Sequence, residues 1–398
     1  MRRTLSIVVC PSVVGRKSAN DLRRTTDDGQ QTTARRGFTL IELLVVMFII
    51  TILASLILGV AALAAQTAKE NGTRHTVERL HTLLTEYYGT FKTRRVKVNP
   101  NVLTNSNGKG INDQKGLSSS QKGEATAEAR LYALRELMLM EMPDRWSDVA
   151  LADVSKATDA NTVGDPLYLD APAVQYNGTT TLHRTDLANV YLRRYQALWG
   201  RTNSITGQKN TSDDIISNQS AECLYMVITL ACGDGEARAQ FGEHNIGDTD
   251  GDGAPEFLDG WGHPISFLRW APGFDSQIEL NANDVDNMTP PDRKSKIAKD
   301  HDPFDVFRVD PNAFRLVPLI YSGGRDESAG IYDAPDFVTW QPVANTMNIT
   351  NSPPYLNPQL LPYRLASAPY LGESSHVVDP TVDETSTDDV HNHLMGQR

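Results

Sequence analysis

The sequence predicts an α+β protein. It has one long N-terminal helix with an apolar half and an amphipathic half, then a C-terminal head of helices and a small antiparallel sheet. Three observations carry this. Leu43 to Ala65 is a 23-residue apolar stretch broken only by Thr51, Ser55 and Gly59. Val77, Leu80, Leu84, Tyr87 and Phe91 then recur at spacings of 3, 4, 3 and 4, which puts them on one face of a helix. Beyond them, helix-period runs precede runs of β-branched and aromatic residues, an order that favours helices segregated against an antiparallel sheet.

The apolar stretch is long enough to cross a bilayer, for which about 20 residues suffice. Residues 1–37 hold seven arginines and Lys17 against Asp21, Asp27 and Asp28, a net +5. Basic residues before a single span place residues 1–37 in the cytoplasm and the bulk of the chain outside. From Phe38 to Phe91 one helix would extend about 80 Å, with Arg74, Glu78 and Arg79 flanking its second-half stripe and Gly72 as its weak point. The organisation is therefore 1–37 leader, 38–92 helix, 93–370 head and 371–398 tail. Within the head, 97–125 is rich in Asn, Gly, Lys and Ser and reads as a loop. Ala127 to Met142 reads as a helix stopped by Pro143, and Leu187 to Trp199 and Ala221 to Cys232 as two more. Ile265 to Trp270 and Phe314 to Tyr321 read as strands. Residues 371–398 are polar and acidic and read as disordered, with His391 and His393 incidental to them.

At 40% hydrophobic and 22% charged residues, the composition is that of a folded chain. The total charge of -11 leaves -16 beyond residue 37. A surface so acidic speaks against a nucleic-acid partner, which needs basic residues, and suits a hard cation. Cys223 and Cys232 lie nine residues apart in one helical run. That is roughly 13 Å along the axis, too far for a disulfide, so both read as buried thiols.

The most specific segment is Arg35-Arg36-Gly37-Phe38-Thr39-Leu40-Ile41-Glu42-Leu43. A carboxylate at the edge of a membrane helix is costly unless paired. This segment resembles the prepilin N-terminal cleavage and methylation motif of type IV pilins and type II secretion pseudopilins, and Gly37 to Val46 follows it almost residue for residue. The resemblance implies that Gly37 is the last leader residue, read by a prepilin peptidase, and that Phe38 becomes the methylated N-terminus. It implies that Glu42 is the fifth mature residue, set to pair with the α-amine of a neighbouring subunit's Phe38. It further implies an inner-membrane protein with an extracytoplasmic head. Its partners would be the lipid bilayer, other pilin or pseudopilin subunits and an inner-membrane assembly platform.

A second constellation is Asp248-Thr249-Asp250-Gly251-Asp252-Gly253-Ala254-Pro255-Glu256-Phe257-Leu258-Asp259. Calcium takes six to eight oxygens from a short turning chain. Asp248, Asp250, Asp252, the Ala254 carbonyl, Glu256 and Asp259 fall at loop positions 1, 3, 5, 7, 9 and 12, and Gly253 falls at the sharp turn. The set reads as a calcium loop; the same residues without a cation would be an acidic turn. The following Asp259-Gly260-Trp261-Gly262-His263-Pro264 resembles a segment of the major pseudopilins. Tyr321-Ser322-Gly323-Gly324-Arg325-Asp326 resembles their calcium-site loop, which implies a second metal pair in Asp326 and Asp333, although Ala334 stands where that family has an aspartate.

No nucleophile, base and orienting group can be assembled from the sequence, so the chain reads as a non-enzyme. The reading is a structural subunit of a type II secretion pseudopilus or a type IV pilus with a calcium-stabilised head. The alternative is a membrane-anchored extracytoplasmic calcium-binding adhesin or sensor that does not polymerise.

Overall fold

The computed structural model describes residues 39–98, 119–150, 173–176, 180–333, 370–373 and 389–394. Residues 1–38, including Gly37 and Phe38, lie outside them, as does Ala334. The chain divides into two compact units at Val60 and Ala61.

The described part of the first unit is the beginning of helix α1 (Leu40–Thr90). Its start is a reciprocal cap. The Glu42 carboxylate accepts the Thr39 N–H at 2.9 Å, and the Thr39 hydroxyl accepts the Glu42 N–H at 3.3 Å. Two helix-end donors are satisfied this way. Downstream, Leu43, Phe48, Leu53 and Leu58 are all exposed. Thr51 and Ser55 turn their hydroxyls onto the Met47 and Ile52 carbonyls at 2.7 and 2.9 Å, which hides the polar atoms from an apolar surround. Among the described residues this is the one helix long and apolar enough to cross a membrane.

In the second unit, α1 continues through Gly72 as unbroken helix. Val77, Leu80, Leu84 and Phe91 of the predicted stripe are fully buried, joined by Leu83 and Tyr88. Around them pack α2 (Ser119–Glu141), α3 (Trp146–Ala150), α4 (Asp186–Leu198), α5 (Ser212–Ser217) and α6 (Gln219–Leu230). Thr185 caps α4 by accepting the Ala188 N–H at 3.2 Å, and Tyr191, Leu192, Tyr195 and Leu198 form its buried face. Cys223 and Cys232 are free and buried, as the sequence indicates.

The strands are short. β1 (Ala173–Tyr176) pairs with β2 (Thr180–His183), and β3 (Ile246–Gly247) with β4 (Glu256–Phe257), both antiparallel. β5 (Ser266–Leu268), β6 (Leu319–Ser322) and β7 (Val390–His391) form an antiparallel three-stranded sheet in the order β5-β6-β7, with Phe267 opposite Ile320 and Tyr321 opposite His391. Helix α6 lies against β4 and β5. Two further helices, α7 (Ala282–Asn287) and α8 (Pro290–Lys299), fall between β5 and β6 in the chain.

Several boundaries differ from the sequence reading, each for a local reason. Helix α2 begins at Ser119, inside the predicted 97–125 loop, because Glu124, Ala125 and Ala127 are strong helix formers that outweigh Gly123. The strand predicted over Phe314–Tyr321 is confined to Leu319–Ser322; Pro318 has no N–H to give a ladder. The strand predicted over Ile265–Trp270 stops at Leu268, since the Arg269 N–H is donated to Asp144 at 3.1 Å.

Of 371–398, read from composition as disordered, the structure describes 371–373 and 389–394, and these pack against the head. Leu371, Val390, Asn392 and His393 are buried. Asn392 accepts the Ile320 N–H and donates to the Pro318 carbonyl, both at 2.8 Å, so its amide extends the sheet beyond β7. His391 and His393 stand edge-on to Phe274, with ring centroids 5.0 and 5.3 Å away. Burial pushes His393 down to about 4, which keeps it neutral near pH 7.

Among the described residues Arg269 is the most buried cation of this unit, with no exposure at all. Its Nη1 donates to the Met142 carbonyl at 2.6 Å and to Asp148 at 2.9 Å. Its guanidinium lies 4.5 Å over the Trp270 ring. Asp144, which takes the Arg269 N–H, also accepts Arg145 Nε at 3.1 Å.

Gly260 sits directly on α1. Its N–H donates to Thr73 Oγ1 at 2.9 Å, and a Cβ placed on it would come within 2.4 Å of the Lys69 carbonyl oxygen. Helix backbone cannot yield as a flexible side chain can. Gly260→Ala is therefore expected to destabilise this unit by about 1–3 kcal/mol through overpacking. Thermal unfolding of the detergent-solubilised chain measures this, and an unchanged midpoint would mean that Gly260 does not lie on α1.

Candidate functional site

The acidic loop joins β3 to β4. Its turns are held by its own carboxylates: Asp248 accepts the N–H groups of Gly251 at 2.7 Å and Gly253 at 3.1 Å. Gly253 takes φ +98, the left-handed region that glycine tolerates and other residues rarely adopt, at the position where the sequence requires a sharp turn. Asp252 accepts the N–H of buried Ala254 at 2.6 Å. Glu256, on β4, accepts the Thr249 N–H at 3.2 Å and the Asn218 amide at 3.3 Å.

These acids form two groups that share Asp250. One is Asp248, Asp250 and Asp252; the other is Asp250, Glu256 and Glu222 of helix α6. Within each group one carboxylate oxygen from each acid lies within 4.8 Å of the others. Two oxygens that each sit about 2.4 Å from one calcium ion can be at most ~4.8 Å apart, so each group is compact enough to share an ion.

Electrostatically the cluster is short of positive charge. Among the described residues none of the five acids makes an ion pair. Arg201 is exposed and gives its guanidinium to the Gly253 carbonyl. Glu222 is 1% exposed; the Trp146 indole N–H donates to one oxygen, and the other has no hydrogen-bond partner. Asp250 Oδ2 and Asp252 Oδ2 are likewise buried and unpartnered. Burial first, and neighbouring carboxylates second, push Asp252 up to about 7 and Glu222 well above its ordinary range. Burial and the Asp250 charge push Glu256 up to about 8. Orphaned buried oxygens are costly, and a hard cation is the partner that this donor set fits.

Asp259, the expected twelfth position, is elsewhere. One of its oxygens accepts the N–H groups of Trp261, Gly262 and His263 at 2.7, 2.8 and 2.9 Å, and the other accepts Ser322 Oγ at 2.7 Å. The chain enters β4 at Glu256, and burial of Phe257 carries Asp259 away from the loop. Residues 259–264 and 321–326 meet here: besides the Asp259–Ser322 bond, the His263 ring lies 2.8 Å from the Gly324 carbonyl. Asp326 is exposed and accepts the Ser328 N–H at 3.0 Å. Asp333 is half-buried, and burial raises its carboxyl. Neither belongs to an acidic group close enough to share an ion among the described residues.

Glu222 is the residue that sequence reasoning missed. Its signal was present: it is the one charge in the apolar run from Ala221 to Ala231. A lone acid in a buried helix needs a partner.

Residues 32–65 match the prokaryotic N-terminal methylation motif. No curated protein and no solved structure matches the chain. The motif spans Gly37, Phe38 and Glu42 and runs into the exposed apolar part of α1, a combination that fits a single-pass membrane anchor. The chain thus carries the N-terminal segment of a prepilin-like substrate of a prepilin peptidase, followed by an α+β head.

Proposed function

We propose that this protein is a structural subunit of a type II secretion pseudopilus or a type IV pilus. The observation that carries the reading is the methylation motif over residues 32–65, continuous with a helix whose large apolar side chains from Leu40 to Leu63 are exposed. Such a surface needs an apolar surround: lipid before assembly and neighbouring helices after it.

In this reading the leader is removed after Gly37 at the inner membrane, and Phe38 becomes the N-methylated terminus. Glu42 compensates the α-amine of a neighbouring subunit's Phe38, which fixes the axial stagger of stacked helices. The assembly platform moves subunits from bilayer to filament, and the extracytoplasmic head decorates it. The role is structural, with no catalytic residue. In the head, calcium would be held at the loop by Asp248, Asp250, Asp252 and Glu256, neutralising carboxylates that otherwise repel one another. A second metal pair would be Asp326 and Asp333; among the described residues neither joins a group of three acids close enough to share an ion.

Mass spectrometry of the N-terminus, in membranes and in material sheared from cells, tests the proposal. The expected peptide begins at N-methylated Phe38 and is found in the sheared fraction. An intact leader confined to membranes would overturn it and favour a membrane-anchored calcium-binding protein that does not polymerise.

A further inference from the structure

We infer that the cation seat of the head is completed by Glu222, so that a hard divalent ion of the calcium class bridges helix α6 and the β3–β4 loop. The inference rests on the calcium reading of that loop and seats the ion in the group of Glu222, Asp250 and Glu256, with Asp259 left out.

Three observations converge. First, one carboxylate oxygen each from Glu222, Asp250 and Glu256 lie within 4.8 Å of one another, although α6 and the loop are separate elements. Second, Glu222 is 1% exposed and keeps one oxygen without a hydrogen-bond partner, while Asp250 and Asp252 each keep another. A helix that only needed to pack on β4 and β5 would be served better by an apolar residue at this place. Third, Asp259 is engaged away from the loop, with one oxygen accepting three N–H groups and the other accepting the Ser322 hydroxyl, and it belongs to neither acidic group. An ion held this way cross-links α6 to the loop and supplies the positive charge that the cluster lacks.

The Trp146 indole, hydrogen-bonded to Glu222, provides a reporter. Terbium, a luminescent stand-in for calcium, should be sensitised by an indole beside its site. The experiment uses the full chain in detergent micelles, with calcium affinity read by calorimetry and terbium emission read with calcium competition. The wild type is expected to bind calcium, and E222Q to weaken binding by about tenfold or more through loss of a charged ligand. D259N should bind as the wild type does, and W146F should lose most of the calcium-competable emission. If the wild type binds and E222Q binds equally tightly, the role of Glu222 is overturned while the loop reading stands. If E222Q does not fold, W146F decides, and undiminished emission overturns the inference. If the wild type binds no calcium, the loop reading fails and takes this inference with it.

Discussion

Arg269→Leu is expected to remove about 3–5 kcal/mol from the stability of the head, the usual cost of stripping one partner from a buried charge network. The side chain is wholly buried, donates to Asp148 and the Met142 carbonyl, and stacks on Trp270. Leucine fills much of the same volume but leaves Asp148 without the guanidinium that donates to it, and both Asp144 and Asp148 with Arg145 as the remaining cation. Urea unfolding of the solubilised chain measures the loss. A second chain with Arg269→Leu and Asp148→Leu together should lose less than the two single losses combined, because the orphaned charge goes with its partner. A single-variant loss below about 1 kcal/mol, the range of exposed ion pairs, would mean that the network is open to water.

Glu42→Val is expected to abolish filament assembly while leaving the precursor in the membrane. Valine removes both things Glu42 can do: closing the Thr39 cap and compensating a neighbour's amine. The cap is worth about 0.5–2 kcal/mol, which frays a helix start but does not remove a long apolar helix from a bilayer. Glu42→Gln separates the two roles, since an amide oxygen can still accept the Thr39 N–H but carries no charge. If assembly depends on charge, sheared filaments disappear in both variants. Normal filaments with glutamine and none with valine would assign the role to the cap and end the proposed pairing.

What could be read in advance follows the range of each interaction. The stripe from Val77 to Phe91 was legible because a helix writes its buried face at a fixed period. The acidic loop was legible because its carboxylates lie within a few residues of one another. Glu222 was not, because its partners belong to another element and a glutamate in a helix ordinarily faces water. Asp259 has the right spacing but stands apart from both acidic groups, beyond a two-residue strand at Glu256 and Phe257. The strand limits at Pro318 and Arg269 turned on single donors, one missing and one spent on Asp144. The polar stretch after Tyr370 misled for a different reason. Average composition describes the whole segment, whereas docking is done by Leu371 and by four residues around Asn392.

That docking has a consequence for how the protein is made. Asn392 reaches back to Pro318 and Ile320, and also lies 2.8 Å from the His81 ring on α1, 311 residues earlier in the chain. Contacts so distant in sequence form late, because the entropy of closing the intervening chain must be met first. Any process that delivers the polypeptide from its amino end, ribosomal synthesis included, holds back the residues that finish the sheet until everything from α1 to β6 has emerged. Until then β6 presents an unpaired edge, of the kind that recruits other strands. Nascent chains stalled short of residue 390 should accordingly be the ones that proteases and chaperones find.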